Sequence, residues 1–295
     1  MEEATDIKNG KNSSSPNRTP DAASIDKEAF RAACEKAASR SRTGDSIGTL
    51  GEKSLHAVLK WYYEPDGSRH EIPVGSYVAD IVGEHGVIEI QTRGVAHLRP
   101  KLTELLEAAP VTVVHPVILR KRIVSLDGDT GEVASVRFSP KHGSLYTAMR
   151  ELYALKPLLP QQRLTVRLPL LEADEIRSFG VHTRRRKKQR ARQGEYVSDI
   201  LPTDIVDEII LAQPSDYDIF LPAHLSGPFG AAELAQAAVT DLPTARRVLN
   251  LLTFLGLTEA VGKDGRRILY RRAEEDPVGV KKNLPNKNRF STQIL

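Results

Sequence analysis

The chain is 295 residues long, 40% hydrophobic and 27% charged, with a formal net charge of +4. That length suits two domains, the composition is ordinary for a soluble globular protein, and so small a charge excess leaves any nucleic-acid argument to how the cations are distributed. A single cysteine, Cys34, excludes an internal disulfide framework and a cysteine-rich zinc site, and no apolar run nears the roughly 18 residues of a membrane span, so a reducing cytoplasm is the expected location.

Residues 1–20 are rich in Ser, Asn, Lys and Pro with almost no large apolar side chain, which predicts disorder. Ala29, Phe30, Ala33, Cys34 and Ala37 then recur at helical steps, predicting a weak helix over 25–40 with Cys34 packed rather than reactive. A second amphipathic helix is predicted from Ile47 through Tyr62, stopped by Pro65, Asp66 and Gly67. His56 lies one turn after Glu52 on that helix, and a lone histidine there reads first as structural or exposed.

A strand over 69–74 precedes the most informative stretch. Val78–Val82 and Val87–Thr92 have the β-branched content of strands, and Gly83 and Gly86 bracket a tight turn, so the pair reads as a hairpin. Each strand carries one carboxylate among apolar neighbours, Asp80 beside Ala79 and Ile81, and Glu89 between Ile88 and Ile90. Burying either charge alone is costly, and a divalent cation bridging both is the simplest compensation.

A helix over 95–108 follows. Pro100 is tolerable if the helix begins near Leu98 or Arg99, which sets Lys101 in the first turn, able to point back towards Glu89. Val111–Leu119 is a near-continuous apolar run, the mark of a strand buried on both faces. A second hairpin is predicted from 123–126 and 133–138, then a basic loop, a helix over 144–155 and a strand over 163–171.

Arg184, Arg185, Arg186, Lys187, Lys188, Arg190 and Arg192 place seven cations within nine positions, read as a mobile linker able to neutralise phosphates. A preceding helix over 216–225, a short helix over 231–239, a turn, and a helix opened by Pro243 and running to Leu255 have helix-turn-helix spacing. Two strands, 257–261 and 266–272, joined through Gly262-Lys263-Asp264-Gly265 complete a winged-helix pattern. Thr244, Arg246, Arg247 and Asn250 fall on the outer side of the second helix, and Lys263, Arg266 and Arg267 on the wing, where a DNA reader needs donors. The tail, 274–295, is polar and aperiodic and is predicted to be disordered.

The arrangement of Asp80 on one strand and Glu89-Ile90-Gln91 on the next resembles the PD-(D/E)XK nuclease superfamily, over roughly residues 47–120. That resemblance implies an α/β fold with a restriction-endonuclease-like mixed sheet flanked by helices, in the order helix, three strands, helix, strand. It implies Mg²⁺ (or Mn²⁺) held by Asp80, Glu89 and the Ile90 carbonyl. Glu52 matches the acidic residue that many members carry on the preceding helix. Gln91 departs from the lysine usual in the family; the resemblance leaves either Gln91 or Lys101, on the following helix, to orient the attacking water. Across most of its length the chain also resembles an uncharacterised bacterial family that joins such a domain to a C-terminal winged helix; Lys53–Lys60, Ile88–Thr92 and Val261-Gly262-Lys263 carry that likeness.

The expected domains are an N-terminal extension over 1–43, a nuclease-like domain over 44–180, a basic linker over 181–195, a winged helix over 196–273 and a tail over 274–295. Two functions are compatible with them: a metal-dependent DNA endonuclease, or a DNA-binding or regulatory protein that keeps the nuclease fold without hydrolysis. DNA is the implied partner in both, a membrane in neither, and a homodimer is compatible with either.

Overall fold

A computed structural model describes residues 25–42, 54–182 and 192–273. The segments expected to be disordered at the two ends, and most of the basic run, lie outside the described residues. The chain is a mixed α/β protein with a large sheet covered by helices on both faces. No described helix is long and apolar enough to cross a membrane.

Two helices come first, α1 (Lys27–Arg42) and α2 (Ser54–Tyr63). Strands β1 (His70–Val74), β2 (Tyr77–Gly83) and β3 (Gly86–Ile90) form an antiparallel meander. Helix α3 (Arg99–Ala108) crosses over to β4 (Val111–Val114), which runs parallel to β3. The predicted strand Val111–Leu119 is broken at His115-Pro116, where proline offers no amide to the ladder. Beyond the break it resumes as β5 (Val117–Leu126), which turns back as β6 (Val133–Phe138). Val111 pairs with Leu164 and Val117 with Leu170, so β4 and β5 are successive halves of one line along the same neighbour.

That neighbour is β7 (Leu164–His182), reached through α4 (Met149–Leu155), and it pairs antiparallel with β8 (Arg192–Leu211) from Val166↔Leu211 to His182↔Arg192. This corrects the expected boundaries. The predicted linker at 181–195 begins and ends inside paired strands, β7 reaching His182 and β8 starting at Arg192, and residues 183–191 lie outside the described residues. β8 was not anticipated; the expected winged helix began at 196, and Asp199, Asp204, Asp207 and Glu208 interrupt the apolar pattern of the strand. Partners from the helices above resolve most of that charge. Asp199 accepts from the Ser54 amide at 3.3 Å, Asp204 from Lys27 at 2.8 Å, and the buried Glu208 is held by Tyr63 and Arg167.

After β8 the chain makes a 3-10 turn, Pro214–Phe220, in place of the helix expected over 216–225, with Asp216 accepting the Ala212 and Gln213 amides. Helices α5 (Ala231–Ala237) and α6 (Leu242–Phe254) precede a two-stranded sheet, β9 (Thr258–Asp264) and β10 (Arg267–Arg272). The Phe229 and Tyr270 backbones exchange hydrogen bonds at 2.9 and 2.8 Å, tying the entry to α5 onto β10. One apolar core runs from the sheet through α3 and α4 into this C-terminal unit, taking in Leu102, Met149, Leu168, Tyr217, Phe220, Val248 and Leu252. A second packs α1 and α2 against the other face, around Phe30, Leu59, Ile81, Ile90, Val114 and Ile205. The C-terminal unit is therefore packed into the sheet's core rather than hung from a flexible linker.

Two backbone positions test this architecture. Gly86, at φ 121°, opens β3 where a Cβ would lie 2.2 Å from the Pro110 carbonyl oxygen, so Gly86→Ala is expected to destabilise by about 2 kcal/mol or more. Val239, in the turn between α5 and α6, holds a left-handed φ of 48° with 91% of its surface exposed. Val239→Gly is expected to stabilise by about 0.5–1 kcal/mol, the relief of that strain less the extra chain entropy of unfolded glycine. Urea midpoints of the two variants should move in opposite directions from the wild type.

Candidate metal and nucleic-acid site

The β2–β3 ladder holds Gly83↔Gly86, Val82↔Val87 and Ile81↔Ile88, and beyond that pair the strands splay. Side chains take over the hydrogen bonding there. The Asp80 amide donates to Glu89 Oε1 at 3.3 Å, and the Ile90 amide donates to Asp80 Oδ2 at 2.8 Å. Each carboxylate thus serves the backbone of the opposite strand, which is why both can sit in a sequence otherwise suited to the core.

Two helices supply the remaining partners. Lys101, in the first turn of α3, donates to Glu89 Oε2 at 2.5 Å and to the Val78 carbonyl at 2.7 Å. His56, on α2, places Nε2 3.4 Å from Asp80 Oδ2. The Glu89 side chain is 2% exposed and that of Lys101 14%, so this ion pair is largely removed from water.

The two carboxyls are pushed apart. For Asp80, burial alone would raise the carboxyl, but the His56 hydrogen bond and charge, the Ile90 amide and Lys101 outweigh it and hold it below the usual range. Glu89 is raised, by burial first and then by the negative charge of Asp80, against the opposing pull of Lys101. Asp80 is the persistent anion and Glu89 the group that accepts a proton more readily.

Of the residues singled out in the sequence, Asp80, Glu89 and Lys101 converge here. Gln91 does not join them: its amide donates to the Arg93 carbonyl in the turn after β3, while its own carbonyl receives His115 Nδ1 at 2.7 Å. Ile90 buries its side chain in the core under α2 and commits its amide to Asp80. Glu52 lies outside the described residues. Among the described residues no group of three or more His, Cys, Asp and Glu side chains is arranged to hold a metal ion. The member that sequence reasoning ranked too low is His56; its signal was a spacing of four from Glu52, but only packing brings it to Asp80.

On the C-terminal unit, Thr244 sits at the start of α6, its amide capped by Asp241 at 2.6 Å, with Arg246 exposed and Arg247 half-buried one turn on. Asn250 joins α6 to α4, its Oδ1 accepting from Tyr153 at 3.0 Å and from Lys156 at 2.6 Å. Arg267 is committed to Glu233 of α5. Lys263, near the end of β9, and Arg266, in the β9–β10 turn, are exposed and make no ion pair among the described residues. Arg185, Arg186, Lys187 and Lys188 lie outside the described residues.

Fold and site together define a mixed α/β protein with an ion-paired carboxylate couple at a strand splay. Residues 53–212 match the model of the Domain of unknown function (DUF8091), a span that closes just after β8, and the chain belongs to that family. A protein of Treponema pallidum (strain Nichols), described as uncharacterized, is 31% identical over 242 residues, which are 81% of this chain and 92% of the relative. No solved structure matches.

The ion pair can be tested apart from any activity. Lys101→Met leaves Glu89 buried without its counter-charge, and is expected to cost about 3 kcal/mol at pH 7. Because Glu89 titrates above its unfolded value, its charge opposes the native state once pH has risen through that range and ceases to do so below it. The deficit of Lys101→Met should therefore narrow as pH falls through the carboxylate range. Urea titrations at neutral and mildly acidic pH check this, and a deficit that does not depend on pH would contradict the pairing.

Proposed function

We propose that the chain is a Mg²⁺- or Mn²⁺-dependent DNA endonuclease of the PD-(D/E)XK type, its C-terminal unit a winged helix that positions duplex DNA. The observation that carries this reading is the juxtaposition of Asp80, Glu89 and Lys101 at the splay of β2 and β3. The donor chemistry fits a hard divalent cation: two carboxylate oxygens from adjacent strands, one of them firmly anionic, with the Ile90 carbonyl as the third expected ligand. Bound there, such a cation supplies concentrated positive charge against the charge that develops on a phosphodiester.

The chain's own residues have distinct parts in this scheme. Asp80 keeps its negative charge because His56 and Lys101 favour it. Lys101 spends two of its three N–H donors on Glu89 and Val78, leaving one to orient water or a phosphate oxygen. It takes the part that Gln91, turned onto Arg93, does not play. The order β1-β2-β3, α3 crossover, parallel β4 is the core that the superfamily requires. The α5–α6 pair, with β9–β10 and the Phe229–Tyr270 bridge, supports the winged helix, and Arg246, Arg247, Lys263 and Arg266 are its remaining DNA-facing cations.

A second reading, a nuclease-fold protein that binds DNA without cutting it, is favoured by the Gln91 geometry and by the lack of a three-member metal group among the described residues. The two readings part on one experiment. Asp80→Asn and Glu89→Gln should each abolish Mg²⁺- or Mn²⁺-dependent cleavage of duplex DNA while the circular dichroism spectrum is kept. Unchanged cleavage by either purified variant rules out this site, and a wild type that binds DNA yet cuts none with either metal establishes the second reading.

A further inference from the structure

A cleft of about 570 Å³ opens where β3 and β4 end in parallel and the β4–β5 line breaks at His115-Pro116. Its lining includes Leu55, one residue before His56, and Thr92 and Arg93, just beyond Ile90, but not Asp80, Glu89 or Lys101. The carboxyl ends of parallel strands, at a change of strand partner, are where open α/β sheets bind ligands.

The walls divide by chemistry. Leu55, Pro116, Ile118, Ala173 and Ile200 give an apolar floor. Arg93, Lys141 and Arg150 contribute three cations from three separate segments: the turn after β3, the loop after β6 and the first turn of α4. All three are exposed, and none has a side-chain hydrogen bond or ion pair among the described residues. The two acids of the lining have other partners. Glu151 accepts the Val95 amide at 2.8 Å, and Glu175 is held by Lys121 and by Arg177 at 2.7 Å.

A single unpaired surface cation is ordinary. Here three converge on one concavity with an apolar floor; of its two lining carboxylates Glu175 is ion-paired elsewhere, and Glu151, bound to a backbone amide, can offset only one of the three charges. That leaves an anion as the missing partner, and the floor calls for a flat or apolar group attached to it. We propose that this cleft binds a nucleoside monophosphate, its phosphate on Arg93, Lys141 and Arg150 and its nucleoside against Leu55, Pro116 and Ile118. The volume lies within the usual range of about 300–1,000 Å³ for small-ligand sites. The same group occurs as a free mononucleotide and as the phosphorylated end of a nucleic-acid strand. The site is independent of hydrolysis at Asp80 and Glu89, so it stands or falls separately from the nuclease reading.

Calorimetric titration of the full-length protein, without divalent cation, tests it. The probes are the common nucleoside monophosphates and a short single-stranded oligonucleotide bearing either a 5′-phosphate or a 5′-hydroxyl. Saturable binding of a mononucleotide, displaced by excess inorganic phosphate, is the expected result and marks the free form as a ligand. A phosphate-dependent gain for the oligonucleotide supports the strand end as the source. Arg93→Gln, Lys141→Gln and Arg150→Gln should each weaken binding about tenfold, the loss of one charge-assisted hydrogen bond. Arg31→Gln, which removes an exposed cation of α1 outside the cleft's lining, should leave it unchanged. The proposal is overturned if neither a mononucleotide nor the phosphorylated end binds, if inorganic phosphate fails to displace the ligand, or if the triple variant binds as the wild type does.

Discussion

Where β2 and β3 part beyond Ile81 and Ile88, two backbone amides would lose their partners inside the protein, and two carboxylates take their place. That exchange sets the terms for what surrounds it. Glu89 is nearly buried and must be neutralised from outside the sheet, so α3 has to begin where its first turn delivers Lys101. Asp80 requires a partner from the opposite side, so α2 has to cross the sheet with His56 facing it. The strand order and both flanking helices are bound to the desolvation cost of this one couple.

The rest of the sheet obeys a similar rule. β8 carries several acids through a long run of ladder pairing, and the chain answers them with Ser54 and Tyr63 of α2, Lys27 of α1 and Arg167 of the neighbouring strand. Helices α1 and α2 thus hold the sheet by charge as well as through the core built on Phe30, Leu59 and Ile205. On the other face, Tyr217, Phe220 and the buried side of α6 extend the sheet's core into the C-terminal unit. Asn250 adds a polar tie to α4. A unit seated this way presents its outer cations in a fixed relation to the sheet.

The opposed shifts of Asp80 and Glu89 set the two carboxyls apart, Asp80 lowered, against burial, by His56, the Ile90 amide and Lys101, and Glu89 raised by burial and the charge of Asp80. Under the non-hydrolytic reading the same couple is a structural plug for the splay. The cleft lined by Arg93, Lys141 and Arg150 belongs to neither account, since its cations have no counterpart in the carboxylate couple and its floor is apolar.

Local pattern alone determined most elements in this chain. Alternation and β-branching marked β2 and β3, and helical spacing marked α2, α3 and α6, whereas the turn expected at Gly262–Gly265 falls at Gly265-Arg266, with Gly262, Lys263 and Asp264 paired in β9. Asp80, Glu89 and Lys101 were legible as well, because a lone charge in an apolar strand is conspicuous and a helix start fixes where its first-turn lysine points. Tertiary structure decided what depends on partners distant in sequence. β8 is a strand because helices and a neighbouring strand supply partners to its acids. His56 reaches Asp80, Gln91 turns away, and Asn250 and Arg267 make internal contacts, because each side chain's role follows from what is packed against it. Sequence spacing reports which residues share a face; only the folded chain determines what that face meets.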